Sequence, residues 1–175
     1  LTIHNVVDVA RRNQPIALAE HARSEMLRSY TWVAQASQGD LPVYGVNTGF
    51  GSLARVRIPP EDSEQLSVNL IRSHAAGVGA PVSVAVARAM MLLRANALSK
   101  GVSGCRPLLV DTLVSMLNKG VTPVIPSQGS CGSSGDLAPL AHLGLVMMKG
   151  DHGEVYYQGE RISAAQGMAA AGITR

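Results

Sequence analysis

The sequence predicts a mainly α-helical fold with one long loop and one small β-hairpin, and three observations carry that expectation. Aromatic residues are only 3% of the chain while hydrophobic residues reach 46%, so the core is built from small aliphatic side chains, which suit closely packed helices better than a β-sandwich. Apolar residues recur at three-four spacing over several long stretches, the period of one helix face. Between those stretches stand clusters of Gly, Pro and Asn, which interrupt regular structure. A chain of 175 residues is long enough for one core, and no repeat, low-complexity tract or boundary divides it. Residues 1–175 therefore read as one domain.

The first helix is read at Ala19, Ala22, Met26, Ser29, Tyr30 and Val33, with Glu20, Arg23 and Arg28 between them on the wet side. Residues 39–60, GDLPVYGVNTGFGSLARVRIPP, read as a long loop with a short strand over 43–46, and loops of that length are commonly functional. A second helix starts at Pro60, where Glu61, Asp62 and Glu64 suit the positive end of the helix dipole, and ends near Gly77. Residues 83–99, SVAVARAMMLLRANALS, carry only Arg88 and Arg94 as charges, the pattern of a helix deep in a bundle, with Gly101 as its close. Pro107 opens the next helix, with Leu109, Leu113, Met116 and Leu117 on one face and Asn118-Lys119-Gly120 as its stop. An irregular connection, VTPVIPSQGSCGSSG, follows. Asp136 then reads as the N-cap of a helix with Pro139 in its first turn, a stripe of Leu140, Leu143 and Met147, and an end at Lys149-Gly150. EVYYQGERI reads as a hairpin around Gln158-Gly159, and Ser163 caps a last short helix stopped by Gly172.

The formal net charge of +3 is mild and the 15 Lys and Arg are scattered, so nucleic acid is not an expected partner. No apolar run approaches the ~18 residues that span a bilayer, and the opening LTIHNVVDVARRN has neither a signal-peptide pattern nor an initiator Met. A soluble protein with trimmed ends is expected. Cys105 and Cys131 show no CxxC or Cys/His spacing, which gives no metal site and a reduced, cytoplasmic setting, with both thiols as small packing residues.

The stretch GSCGSSGDLAPLAHLG, residues 129–144, sets three glycines at every third position directly before a helix start. A Ser-rich capping loop is the plainest account. A phosphate cradle fails because there is no GK[ST] and the glycines are not spaced GxGxxG. An esterase elbow fails because Gly132-Ser133-Ser134-Gly135 is GxSG and no strand precedes it. A third chemistry needs this triplet. If the Gly135 amide nitrogen attacks the Ser133 carbonyl carbon, a five-membered ring closes, and loss of two waters, one with the Ser134 hydroxyl, leaves an electrophilic exocyclic methylene. Glycine at the third place permits so tight a turn, and serine in the middle supplies the leaving group. The adjoining helix N-terminus, with about half a positive charge, stabilises electrons drawn onto the ring carbonyl.

The stretch resembles the signature GxxxASGDLxPLxH of the aromatic amino acid ammonia-lyase and aminomutase family, with Ser133 in place of the usual Ala. The resemblance implies the helical ammonia-lyase fold and a self-made prosthetic group, 4-methylidene-imidazol-5-one (MIO), from Ser133, Ser134 and Gly135, with Asp136 assisting its formation and no metal or nucleotide. VYGVNTGFG is similar to the family's YGxxTGFG loop, which makes Tyr44 the catalytic base that takes the substrate's β-proton; Gly45, Gly49 and Gly51 let this loop act as a lid. NLIRSHAAGVG is similar to the selectivity segment, in which Ser73 and His74 face the substrate's ring. A Ser-His pair is common in members acting on histidine, and an imidazole can donate to and accept from another imidazole. Some tyrosine aminomutases carry a similar pair. Asn69 and Arg72 receive no role, His142 in PLAH reads as structural, and His4, His21 and His152 lie outside any motif.

The resemblance thus implies elimination of ammonia from an aromatic L-amino acid, histidine to urocanate before tyrosine, phenylalanine or aminomutase chemistry. Family members continue after AAGI into a long helical bundle that forms a homotetramer core and supplies further active-site groups. This chain then holds an electrophile and a base in an incomplete pocket, completed by other subunits or by a C-terminal partner half. The reading from a different class is a non-catalytic helical fragment that needs such a partner.

Overall fold

In a computed structural model that describes residues 1–174, the chain begins with a helix that apolar spacing alone does not predict. Thr2 and Asn5 close a reciprocal cap over its first turn: Asn5 N–H donates to Thr2 Oγ1 at 3.2 Å, and Thr2 N–H donates to Asn5 Oδ1 at 2.9 Å. This capping box carries Asn in its third helical place, where Glu or Gln is the usual signal. The helix, α1 (Ile3–Arg12), turns Val9 and Ala10 into the core.

Six further helices follow among the described residues. α2 (Glu20–Gln38) buries Ala22 and Met26, as its spacing predicts. A single 3-10 turn at Pro60–Asp62 leads into α3 (Ser63–His74), which stops three residues short of Gly77 because Ala75 leaves helical geometry to start a strand, β1 (Val78–Pro81). α4 (Val84–Leu98) is capped by Ser83 and buries Ala87, Arg88, Met91, Leu92 and Ala95. It is not enclosed all round: Val86 and Leu93, 47% and 50% exposed, share one apolar face that meets water, and Val84 is 44% exposed in the first turn. α5 (Pro107–Lys119) ends at Gly120 with φ +73°, the left-handed C-cap its sequence predicts. Arg23 of α2 grips Asp111 of α5 with two hydrogen bonds of 3.0 and 2.6 Å.

The connection after α5 is less irregular than its composition indicates. It contains β2 (Thr122–Pro123) and β3 (Pro126–Gln128), which join different sheets. β3 pairs with β1, antiparallel, with Val78 opposite Gln128 and Pro81 opposite Pro126 and a register irregularity between them. Beyond the Ser-Ser-Gly loop, α6 (Leu137–Leu145) gives way to turns before Lys149. The hairpin is β4 (Glu154–Tyr157) and β5 (Glu160–Ser163), with φ of +51° and +86° at Gln158 and Gly159 as a two-residue hairpin turn requires. β2 adds to its other edge, Thr122 opposite Tyr156, to make the order β2-β4-β5. Ser163 then caps α7 (Ala164–Ala170).

The core runs continuously through these elements, with Met26, Met91, Leu113, Met116, Ile125, Leu143, Val155 and Met168 in one buried cluster. Methionine fills irregular gaps without aromatic bulk. Cys105 is half-buried against this cluster, whereas Cys131, expected to pack, is exposed in its loop; both are free thiols. Among the described residues no helix is long and apolar enough to cross a membrane.

Arg88 is only 2% exposed. Its guanidinium donates to the carbonyl of Val9 at 2.9 and 3.2 Å and to that of Leu117 at 3.0 Å. Both carbonyls lie in the last turns of their helices, α1 and α5, where unpaired oxygens carry partial negative charge. Burial pulls the guanidinium pKa down from its ordinary value, and the group remains a cation at neutral pH. Substitution Arg88→Met keeps the stem but removes the guanidinium from the Val9 carbonyl and leaves the Leu117 carbonyl with the long 3.4 Å hydrogen bond from Gly120 N–H. A loss on the order of 3 kcal/mol in chemical denaturation is expected, and an unchanged midpoint would contradict this reading.

Candidate active site

The Ser-Ser-Gly triplet lies at the head of α6 on an exposed loop. Gly129, Gly132 and Gly135 have φ of +128°, +97° and +70°, so all three glycines adopt backbone that L side chains rarely reach. At Gly135 it is the dihedral angle and not crowding that demands glycine, since a Cβ there would find its nearest neighbour, Ser130 Oγ, at 3.8 Å. Neither the Ser133 carbonyl nor the Gly135 amide makes a hydrogen bond among the described residues. The two groups that ring closure must join are thus uncommitted.

Asp136 occupies the N-cap position of α6, but its side chain makes no capping hydrogen bond, contrary to expectation. Pro139 explains part of this, because the third helical residue has no N–H to offer. Arg94 of α4 donates to the carboxylate instead, at 3.3 Å, and the Ser134 side chain lies near it. Ser134 first, and Arg94 after it, hold the Asp136 carboxyl below the usual carboxylate range.

Ser73 and His74 end α3. Ser73 Oγ donates to the Leu70 carbonyl at 2.9 Å, and His74 Nδ1 lies 2.9 Å from the same oxygen and 3.0 Å from Ser73 Oγ. A carbonyl only accepts, so Nδ1 carries the proton and Nε2 is left as an acceptor. Three residues on, Gly77 N–H donates to His142 Nε2 at 3.0 Å, tying this segment to α6. Burial lowers the His142 pKa, which keeps the ring a neutral acceptor. A Cβ on Gly77 would stand 2.9 Å from that nitrogen and 3.2 Å from the Gln128 carbonyl, so only glycine fits between them.

Tyr44 is 64% exposed and meets Phe50 edge to face, with ring centroids 5.9 Å apart. No hydrogen bond among the described residues joins it to the triplet or to His74. The expected strand over 43–46 is a run of turns held from within. Asn47, 1% exposed, donates to the carbonyls of Ala36, Gly39 and Leu41 and accepts from Val43 N–H at 2.7 Å. Buried Thr48 accepts from Gly45 N–H at 3.1 Å. The loop predicted to be a lid is therefore pinned at its base, with Tyr44 projecting from it. The structure brings together Ser134 and Asp136, and ties the Ser73-His74 segment to α6; Tyr44 stands on separate support. Asn47, Arg94 and the Gly77–His142 contact escape sequence reasoning, although an Asn inside a Gly-rich loop and a lone Arg on an apolar helix are the signals that mark the first two.

The helical frame and the glycine-punctuated loop at the head of α6 define the class: the chain belongs to the aromatic amino acid lyase family, whose model matches residues 1–175. Among curated relatives, a histidine ammonia-lyase from Koribacter versatilis is 53% identical over 173 residues, and one from Geobacillus thermodenitrificans is 50% identical over 173 residues. These alignments cover 99% of this chain but 33% and 34% of the relatives, so the chain spans about a third of their length. Of solved structures, histidine ammonia-lyase from Trypanosoma cruzi superposes with a TM-score of 0.87 at 33% identity, covering 99% of this chain and 33% of that one. Tyrosine aminomutase from Streptomyces globisporus superposes with a TM-score of 0.89 at 34% identity, covering 99% and 32%.

Proposed function

We propose that the chain carries the electrophile-forming and base-bearing segments of an ammonia-lyase that converts L-histidine to urocanate and ammonia. The observation that carries this reading is the triplet itself: an unengaged Ser133 carbonyl, an unengaged Gly135 amide, and a Ser134 side chain near the Asp136 carboxylate. Cyclisation joins Gly135 N to the Ser133 carbonyl carbon. The Ser133 oxygen leaves as water with the amide protons of Ser134 and Gly135, and the Ser134 hydroxyl leaves as a second water with the proton from its own Cα. Ser133 in place of alanine adds an exposed hydroxyl beside the ring and changes none of the atoms that react.

The residues fit an MIO group formed from Ser133, Ser134 and Gly135, which supplies an electrophile that turns a poor amine leaving group into a good one. The substrate's β-proton is barely acidic, and Tyr44 is the residue that takes it. A positioned base contributes about 10²- to 10⁴-fold. His74 offers Nε2 as an acceptor to a ring that donates N–H, which supports histidine over phenylalanine, and the histidine ammonia-lyase relatives support the same choice. The Leu70 carbonyl sets the His74 tautomer, and the Ser73 hydroxyl lies 3.0 Å from the same ring nitrogen.

Tyr44, Ser133 and Ser134 are all open to solvent, and exposed Val84, Val86, Leu93 and Leu108 present apolar surface to further polypeptide. Both support a site completed in a larger assembly, a homotetramer or a C-terminal partner half. The test is the mass of the tryptic peptide 120–149 from the full-length protein, followed by incubation with histidine, tyrosine and phenylalanine. The expected result is a peptide lighter than its sequence by two waters and urocanate from histidine alone. A β-amino acid product would replace the lyase with an aminomutase, and an unmodified peptide would reject the enzyme reading.

A further inference from the structure

α4 carries two charges on an otherwise apolar helix. Arg88 is accounted for by the helix-end carbonyls it gathers. Arg94, with its side chain 35% exposed, sends Nη2 to Asp136 Oδ2 at 3.3 Å. It lies on the rim of a groove of about 750 Å³ with largely apolar walls, Val68, Ile71, Leu98, Leu140 and Met147 among them; Glu64 also lines the groove, but the carboxylate that Arg94 pairs with is Asp136. A carboxylate at an N-cap ordinarily turns back onto the amides of its own helix; Asp136 does not.

We infer that Arg94 is a positioning residue for the self-cyclisation of Ser133-Ser134-Gly135, drawing the Asp136 carboxylate off its helix and holding it against the Ser134 side chain. This rests on the function proposed above. In the second dehydration the Cα–H electron pair of Ser134 becomes the exocyclic double bond and the Cβ–Oγ bond breaks. A carboxylate fixed beside that hydroxyl takes the Cα proton and passes it to the departing oxygen, so it ends as it began and one water leaves. Without Arg94 the carboxylate is free to rotate to the Ala138 amide or into water, and its affinity for a proton rises, both of which slow the step.

The experiment follows ring formation rather than turnover. Full-length wild type, Arg94→Gln and Arg94→Lys are made by cell-free synthesis, quenched at intervals across a pH series, and read as the fraction of peptide 120–149 lacking two waters. Circular dichroism of each variant reports the fold. In Arg94→Gln, ring formation is expected to slow by about tenfold to a hundredfold and its acid-side midpoint to move to higher pH. Arg94→Lys, which keeps the positive field, is expected to recover the midpoint and part of the rate. Arg94→Gln maturing at the wild-type rate and midpoint would overturn the inference and leave the proposed function standing. Should Arg94→Gln fail to fold, Arg94→Lys decides: a folded lysine variant with wild-type kinetics at every pH would equally overturn it. A wild type that never loses two waters overturns both.

Discussion

Ser134→Ala is expected to leave peptide 120–149 without the second dehydration and to lower ammonia release by more than about 10³-fold, as removal of a covalent participant does elsewhere. Alanine has no β-hydroxyl, so no exocyclic methylene can form whatever the loop geometry. The fold is expected to persist, because Ser134 is exposed. Intact mass, a melting curve and product release measured on the same preparation check all three parts. Substantial turnover by this variant would remove the ring from the reaction.

Tyr44→Phe is expected to lower kcat by about 10² to 10⁴ while the same peptide still lacks two waters. Phenylalanine preserves the edge-to-face contact with Phe50, and the loop's internal bonds run through Asn47 and Thr48 rather than through the phenol. Only the hydroxyl is lost, so ring formation and proton removal separate cleanly. A variant with unchanged kcat would assign the base to another residue.

The helices were legible where period and punctuation agree. Pro107 and Gly120 bound α5, Ser83 opens α4 and Gln158-Gly159 turns the hairpin, because each is a local backbone requirement written at one position. Helix α1 was not, since its opening is a Thr-Asn capping box instead of the usual glutamate or glutamine signal. Strands β1, β2 and β3 hold two to four residues each, all three starting or ending on proline, and nothing in so short a run alternates. Their partners lie far away in the chain, so only tertiary pairing defines them. The candidate site divides in the same way. The triplet is a short motif whose own atoms permit ring closure, whereas the Ser-His pair takes its expected role from the family resemblance. What supports them, Arg94 across from Asp136 and His142 beneath Gly77, depends on which helices become neighbours.

Gly77 and Gly129 touch backbone to backbone: a Cβ on Gly129 would lie 2.8 Å from Gly77 Cα. That contact sets an order of events. The turn at Gly77 is synthesised early and must wait for the strand that ends at Gln128 before the following loop has a fixed point from which to bend. Under the proposed function, ring closure waits until these two distant stretches have met. On that reading, a polypeptide that collapses wrongly lacks the fixed point from which the reactive carbon is made, so the electrophile is confined to correctly folded chains.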